Sequence, residues 1–392
     1  MTRTPVLPLH RLHLRLRLLC PGLASLALIG ASPWAHAGGT QKINDTGALS
    51  CFVNKQLTTD CAGTRQDADF GRDVVMPDDS DGKAGFSFRK VCNNGDFAGT
   101  GTCPADPPLG AGPQDWGCTH DRVTKLTWEI KTTDGGLRDV YKSYTNHGDG
   151  RNGDSSAFVA AVNQQGMCGK SDWRMPKVAE LQGIADYDRA SYVNIDWFPS
   201  PTTNRAYWSS EGYSTVPDLY KWFWGGDGQT YTSSVAKKTL VRLVRGGEKD
   251  LDPAERYVVV GHEIYDRQTG LAWQMCENFS ECKESFPETA MRFAEALNVA
   301  REIVERTGKP WRIPNIKELQ SLIMLDRYSS TYEPVISPQR ILMSSTPVVE
   351  SKEIEYFSIV AIIDGGQVFK NKNSSKGQPA YLVFVRNASG EH

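Results

Sequence analysis

The chain has few histidines and, past its first residues, no apolar run that would cross a bilayer. Of its seven histidines, only His120, His147, His262 and the terminal His392 lie beyond residue 37. His-x-x-x-His, Gly-x-Ser-x-Gly and a phosphate-cradling glycine loop are missing, and with them three common signatures of catalysis. A hydrolase needs a base within reach of its nucleophile, and neither Ser209 nor Ser344 has an evident one. No two cysteines have the tight spacing of a zinc knuckle, which sets the zinc reading behind that of disulfides. An excess of one charge is missing too. With 44 Lys+Arg against 46 Asp+Glu, the composition does not suggest general nucleic-acid binding.

What is present begins with a targeting segment, residues 1–37. It holds Arg3, Arg11, Arg15 and Arg17 with no acidic residue, an apolar run from Leu18 to Gly30, and the small-x-small site Ala35-His36-Ala37. The run is too short to span a membrane comfortably. An amphipathic helix or an uncleaved anchor is the competing reading. Cys20, followed by Pro-Gly-Leu inside the run, does not read as a lipid-modified cysteine. The expectation is export, to the periplasm, the cell surface or the medium.

Without that segment, 40 Lys+Arg face 46 Asp+Glu and eight cysteines remain. An even number of cysteines behind an export signal implies disulfides in an oxidising compartment. Sequence proximity suggests Cys51–Cys61, Cys92–Cys103, Cys118–Cys168 and Cys276–Cys282, among many possible connectivities. No cofactor is implied.

The organising feature is a repeat. Trp173-Arg174-Met175-Pro176 runs into Glu180-Leu181-Gln182, and Trp311-Arg312-Ile313-Pro314 runs into Glu318-Leu319-Gln320. Proline suits the first position of a helix and not its interior. Beyond it, Val178, Leu181, Ile184 and Ala185, and then Ile316, Leu319, Leu322 and Ile323, fall at helical spacing. Each junction reads as a strand end whose Trp plugs a core, turning at Pro into an amphipathic helix. The Arg is expected to satisfy carbonyls or a helix carboxylate such as Glu180, because a buried charge needs a partner.

Other stretches echo each other at the same offset. Asp121 to Trp128 matches Asp266 to Trp273, and the helix Ala157–Asn163 matches a longer one over Thr289–Glu305. Tyr207-Trp208-Ser209-Ser210 matches Leu342-Met343-Ser344-Ser345. Strands with hairpin turns follow in both halves, among them Leu219–Trp224 and Leu240–Arg245 in the first, Glu355–Ile363 and Ala380–Arg386 in the second. The Asp-Gly clusters at 78–82 and 149–154 read as turns rather than calcium loops. The expected fold class is α+β, with two helices and a small, mainly antiparallel sheet in each copy. Separate domains, each with its own core, are expected rather than one merged sheet. The boundaries read as 38–115 for a loop-rich, disulfide-stapled segment, 116–247 for domain 1, 248–259 for a linker and 260–388 for domain 2.

Cys168-Gly169-Lys170-Ser171-Asp172-Trp173-Arg174-Met175-Pro176, with Tyr207-Trp208-Ser209-Ser210 and Val241-Arg242-Leu243-Val244-Arg245, resembles the Lcl C-terminal domain family. The second copy departs from the pattern, with Met343 in place of the Trp and no cysteine before Trp311. The resemblance implies two tandem C-type-lectin-like domains, a fold similar also to formylglycine-generating enzymes. It implies exported bacterial proteins and, through one relative that is a surface adhesin, binding of sulfated polysaccharide. The oxidase chemistry of the formylglycine-generating kind depends on thiols late in the domain. No cysteine follows Cys168 in copy one or Cys282 in copy two.

The expectation is therefore a non-catalytic binding protein for carbohydrate or polyanion, without nucleic acid as a partner. A structural or protein-interaction scaffold of the cell envelope is the rival. Tyr220, Trp222 and Trp224 share one face of a strand and could stack on sugars, with core packing as the competing reading. Tyr207 and Tyr213 lie in less regular sequence and read as reachable. Lys370, Lys372 and Lys376 form a basic loop suited to a polyanion, or simply a solvated face.

Overall fold

The computed structural model describes residues 42–54, 56–75, 78–189, 192–199, 206–213, 216, 218, 220–226, 228–274, 293–322, 341–348, 356–361, 367–372 and 382–388. Two short strands come first, β1 (Cys51–Val53) and β2 (Gln56–Thr58), then a one-turn helix α1 (Arg72–Val75). Strands β3 (Phe88–Cys92), β4 (Trp116–Asp121) and β5 (Leu126–Glu129) lead to helices α2 (Ser155–Gln165) and α3 (Val178–Gly183). A hairpin series, β6 (Tyr207–Gly212), β7 (Tyr220–Trp224) and β8 (Thr230–Ser234), precedes β9 (Val244–Gly246).

The second half repeats that order. After α4 (Pro253–Arg256) come β10 (Tyr257–Val260), β11 (Glu263–Asp266), β12 (Leu271–Gln274), α5 (Phe293–Thr307) and α6 (Ile316–Ser321). Then follow β13 (Ile341–Pro347), β14 (Tyr356–Ala361), β15 (Gln367–Lys372) and β16 (Val385–Asn387). Among the described residues, each half carries one four-stranded and one three-stranded sheet: β3-β4-β5-β9 with β6-β7-β8, then β10-β11-β12-β16 with β13-β14-β15. All the strand pairs are antiparallel. The duplication read from the two junctions is thus a duplication of topology.

Local chemistry accounts for the helix ends. Asp154 caps α2 by accepting from the Ser156 N–H at 3.0 Å, and Gly166, at φ 66°, ends it in the left-handed conformation that lacks a Cβ penalty. At α6 the cap is reciprocal. Asn315 Oδ1 accepts from the Glu318 N–H at 2.9 Å, and Glu318 Oε2 accepts from the Asn315 N–H at 2.9 Å. At α3 Glu180 makes the second of these bonds, accepting from the Lys177 N–H at 2.7 Å.

The sheet parity follows the sequence. Trp128 and Trp273 lie at equivalent positions, on β5 and β12, and both are buried. Three of the four proposed disulfides are formed, Cys51–Cys61, Cys92–Cys103 and Cys118–Cys168. Cys276 and Cys282 lie outside the described residues.

Two expectations are corrected. First, the domain limits at 116 and 260 each cut off a strand, since β3 and β10 pair with β4 and β11 at the outer edges of their sheets. Each is too short, and too weakly alternating, for a period of two to stand out from its surroundings. Second, the halves do not have wholly separate cores. Each keeps its own cluster, around Trp173, Trp208 and Phe158 in one and around Trp311, Met343 and Phe293 in the other. A third and largest cluster joins Trp128, Leu181 and Ile184 with Trp273, Leu319 and Leu322. The stripes of α3 and α6 both feed this shared layer.

Segment 42–75 packs against both halves, with Ile43 on the shared layer. Phe52 belongs to the core of the second half, and Tyr187 of the first half donates its N–H to the Thr46 carbonyl at 2.8 Å. The segment is a strap across both repeats rather than a module beside them.

Candidate functional site

The two Trp-Arg-x-Pro junctions are structural. Trp173 is buried and its indole N–H donates to the Met167 carbonyl at 3.0 Å. Arg174 forks onto Glu180 at 2.8 and 2.6 Å, and Arg312 forks onto Glu318 at 2.7 and 2.6 Å. One glutamate per copy therefore both caps the helix and holds the arginine. Ser209 and Ser344 are fully buried, where no substrate reaches them. Met343 takes the place of Trp208 inside a core cluster, so that substitution is a packing change.

Of the aromatic residues proposed as a sugar platform, Trp224 and Tyr207 are buried. Trp224 is 0% exposed and stacks at 6.3 Å on Tyr207, itself only 4% exposed beneath the Arg242 guanidinium. The expectation that Tyr207 is reachable is corrected: its ring completes the core between β6 and β7. Tyr213 is half-buried, on the coil just after β6. Tyr220 and Trp222 lie on β7, and Lys370 and Lys372 on β15, with side chains outside the described set. Lys376 lies outside it altogether.

Charge is concentrated in two other places. The first is buried where the strap meets both repeats. Thr46 and Thr346 donate their hydroxyls to Asp67 Oδ2, each at 2.7 Å, while Asn44 donates to Asp121 at 2.5 Å. Lys317 reaches from α6 to the carbonyls of Asp45 and Gly183. Burial, with the charge of Asp45 second, pushes Asp67 up to about 7 and Asp73 up to about 8. Burial likewise pulls Lys317 down to about 7, against the attraction of Asp45. A small cleft lined by Asn44, Asp45, Asp67, Arg72, Arg312 and Glu318 opens beside this network. Among the described residues no group of three or more His, Cys, Asp or Glu is arranged to hold a metal ion.

This seam carries a pH signature. A carboxyl whose folded pKa is raised stabilises the fold fully below its unfolded value, near 3.8, and that contribution is lost as pH rises through about 7. Lys317 acts in the other direction: its contribution is present above 10.5 and lost as pH falls toward about 7. Asp67→Asn keeps an oxygen for both threonine hydroxyls and removes the titration. Its stability relative to wild type is expected to improve by on the order of 2 kcal/mol between acid and neutral pH. Urea unfolding from acid to neutral pH measures this, and two parallel profiles would show that Asp67 does not titrate within the fold.

The second concentration lies on the outer face of the first four-stranded sheet. The strand register sets Arg89 opposite His120, His120 opposite Thr127, and Thr127 opposite Arg245, one row across β3, β4, β5 and β9. Parity sends the neighbouring row, which contains Trp128 and Val244, into the core, so this row lies on the opposite face, with Arg89, His120 and Arg245 half-buried and Thr127 buried between them. Phe97 leans over it, 5.4 Å from the His120 ring and 4.8 Å from the Arg89 guanidinium. His120 Nδ1 sits 3.0 Å from the Thr127 hydroxyl.

Exposed Arg122 and Lys125, on the β4–β5 turn, flank the row. Burial, and then the charges of Lys125, Arg122, Arg245 and Arg89, hold the His120 imidazolium below its usual range. Asp172 forks onto Arg245 and Asp81 pairs with Arg122. No described carboxylate pairs with Arg89 or Lys125. In the second copy the same row is Val258, Tyr265, Ala272 and Arg386. There Arg386 is buried and spends its charge on Glu263.

The row is therefore a property of the first copy. It was not visible in the sequence, because Arg89, His120 and Arg245 are brought level only by strand register. The dense cations of Arg122, Lys125, Arg242 and Arg245 near equivalent strands were the one available hint.

The profile of the Lcl C-terminal domain family matches residues 117–245 and again 262–386. No curated protein matches the chain.

Proposed function

The chain belongs to the Lcl C-terminal domain family, with two tandem copies of the domain, and from that premise we propose that it is an exported, non-catalytic protein that binds sulfated polysaccharide. The observation that carries this reading is the row Arg89–His120–Thr127–Arg245, with Phe97 above it and Lys125 beside it. Sulfate groups along a sugar chain match Arg89 and Lys125, which no described carboxylate pairs, and the Phe97 ring offers an apolar face to a pyranose. Export accounts for the three disulfides, which persist in an oxidising compartment. No helix among the described residues is long and apolar enough to cross a membrane.

The test is retention of residues 38–392 on immobilised heparin, with and without calcium, over a salt gradient. Retention is expected to weaken steeply as salt rises, because exposed charges are screened. Arg89→Ala with Lys125→Ala should weaken affinity about tenfold, a change of roughly 1.4 kcal/mol. Retention that ignores salt, or a double variant that elutes with wild type, removes the row from the ligand site. No binding to any polyanion or neutral glycan on an array leaves the scaffold reading in its place.

A further inference from the structure

The two four-stranded sheets differ at their outer edges. In the first copy the edge strand β3 is closed by the loop of the Cys92–Cys103 disulfide. Ala98 donates its N–H to the Lys90 carbonyl at 2.9 Å and Cys92 donates to the Asp96 carbonyl at 2.9 Å. In the second copy the edge strand is β10, and no described strand lies beyond it. Arg267 donates its N–H to the Arg256 carbonyl at 2.9 Å, which makes Tyr257–Asp266 and Val259–Ile264 the non-hydrogen-bonded pairs of the ladder. The N–H and C=O of Val259 therefore point away from β11. They occupy the place that Lys90 holds in the first copy, where such a carbonyl is satisfied.

The side chains tell the same story. Val259 lies in one row with Ile264, Trp273 and Val385, all of them 0% exposed, yet it is itself 52% exposed, and Val260 beside it is 45% exposed. The apolar row ends in an uncovered residue. Natural sheets blunt such edges with lysine, proline or a covering loop. β3 has Arg89, Lys90 and the covering loop, whereas Tyr-Val-Val-Val has none of these.

We propose that β10 is a docking edge for a second copy of this chain, paired antiparallel about Val259 across a two-fold axis. The strand is self-complementary in that arrangement, since Val259 meets Val259 and no charge faces its like within the strand. Pairing would extend both the sheet and the apolar row. The ends carry mixed charge, with exposed Asp252, Glu255 and Arg267 at the entry of β10 and a Lys309–Glu263 ion pair at its hairpin end, so neither end repels a second copy by a block of one sign. The same pairing through β3, about Lys90, would oppose lysine to itself. A four-residue strand makes a small interface, so the expected dimer is weak, with a Kd on the order of 10 µM.

The experiment is sedimentation of residues 38–392 from about 1 to 200 µM, spanning that Kd. Wild type is expected to pass from monomer to dimer, and Val259→Lys to remain monomeric with an unchanged thermal melt. Hydrogen exchange on wild type supplies a readout that needs no variant: the Val259 amide should exchange about sixfold more slowly at the high concentration than at the low one, as the fall in free monomer requires. A wild type that stays monomeric throughout overturns the proposal. So does a dimer that survives in folded Val259→Lys, or a Val259 amide whose exchange ignores concentration, since either puts the contact elsewhere.

Discussion

Arg312→Ala is expected to destabilise the fold by about 3–5 kcal/mol, while the equivalent change Arg174→Ala costs about 1 kcal/mol or less. The two arginines occupy the same place in the same motif and make the same forked bond to a helix-capping glutamate. What differs is water. The side chains of Arg312 and Glu318 are 8% and 4% exposed, against 41% and 17% for Arg174 and Glu180. Removing Arg312 strands Glu318 in the interior, close to Asp67 and Asp45, whose charges Arg312 also offsets. Removing Arg174 leaves a glutamate that solvent can reach. Urea unfolding of both variants at neutral pH makes the comparison, and equal losses would mean that burial does not set the strength of this pair.

The second large effect is at the tryptophans. Trp173→Ala and Trp311→Ala are each expected to cost about 3–5 kcal/mol, the range for deleting a large buried side chain. Both rings are 2% exposed and each lies in the core cluster of its own half. Trp173 also loses the indole bond to Met167, beside the Cys118–Cys168 bridge. Calorimetry on the two variants reads the effect, and a variant that melts with wild type would mean that the cavity closes without loss.

Much of this was legible in the chain because it is local. Proline after a Trp-Arg pair, a stripe at helical spacing and a glutamate three residues into the helix fix the junctions, and the junctions reveal the duplication. The three disulfides seen join successive cysteines along the chain, two of the pairs only 10 and 11 residues apart. Lys317 shows where local reading stops. In Ile-Lys-Glu-Leu-Gln it has the place of a solvated helix residue, yet the strap lies over it and Asp45 takes its ammonium. Tyr207 fails in the same way, read as reachable from irregular surroundings and buried by a partner strand.

The sequence by itself determined the elements, their order and their repetition, since turn chemistry and side-chain periodicity act over a few residues. Tertiary structure alone decided which strands lie side by side. That choice made the cationic row, the shared core and the open edge of β10. Each of these depends on residues far apart in the chain, and only the burial of apolar surface and the closing of hydrogen-bond ladders bring them level.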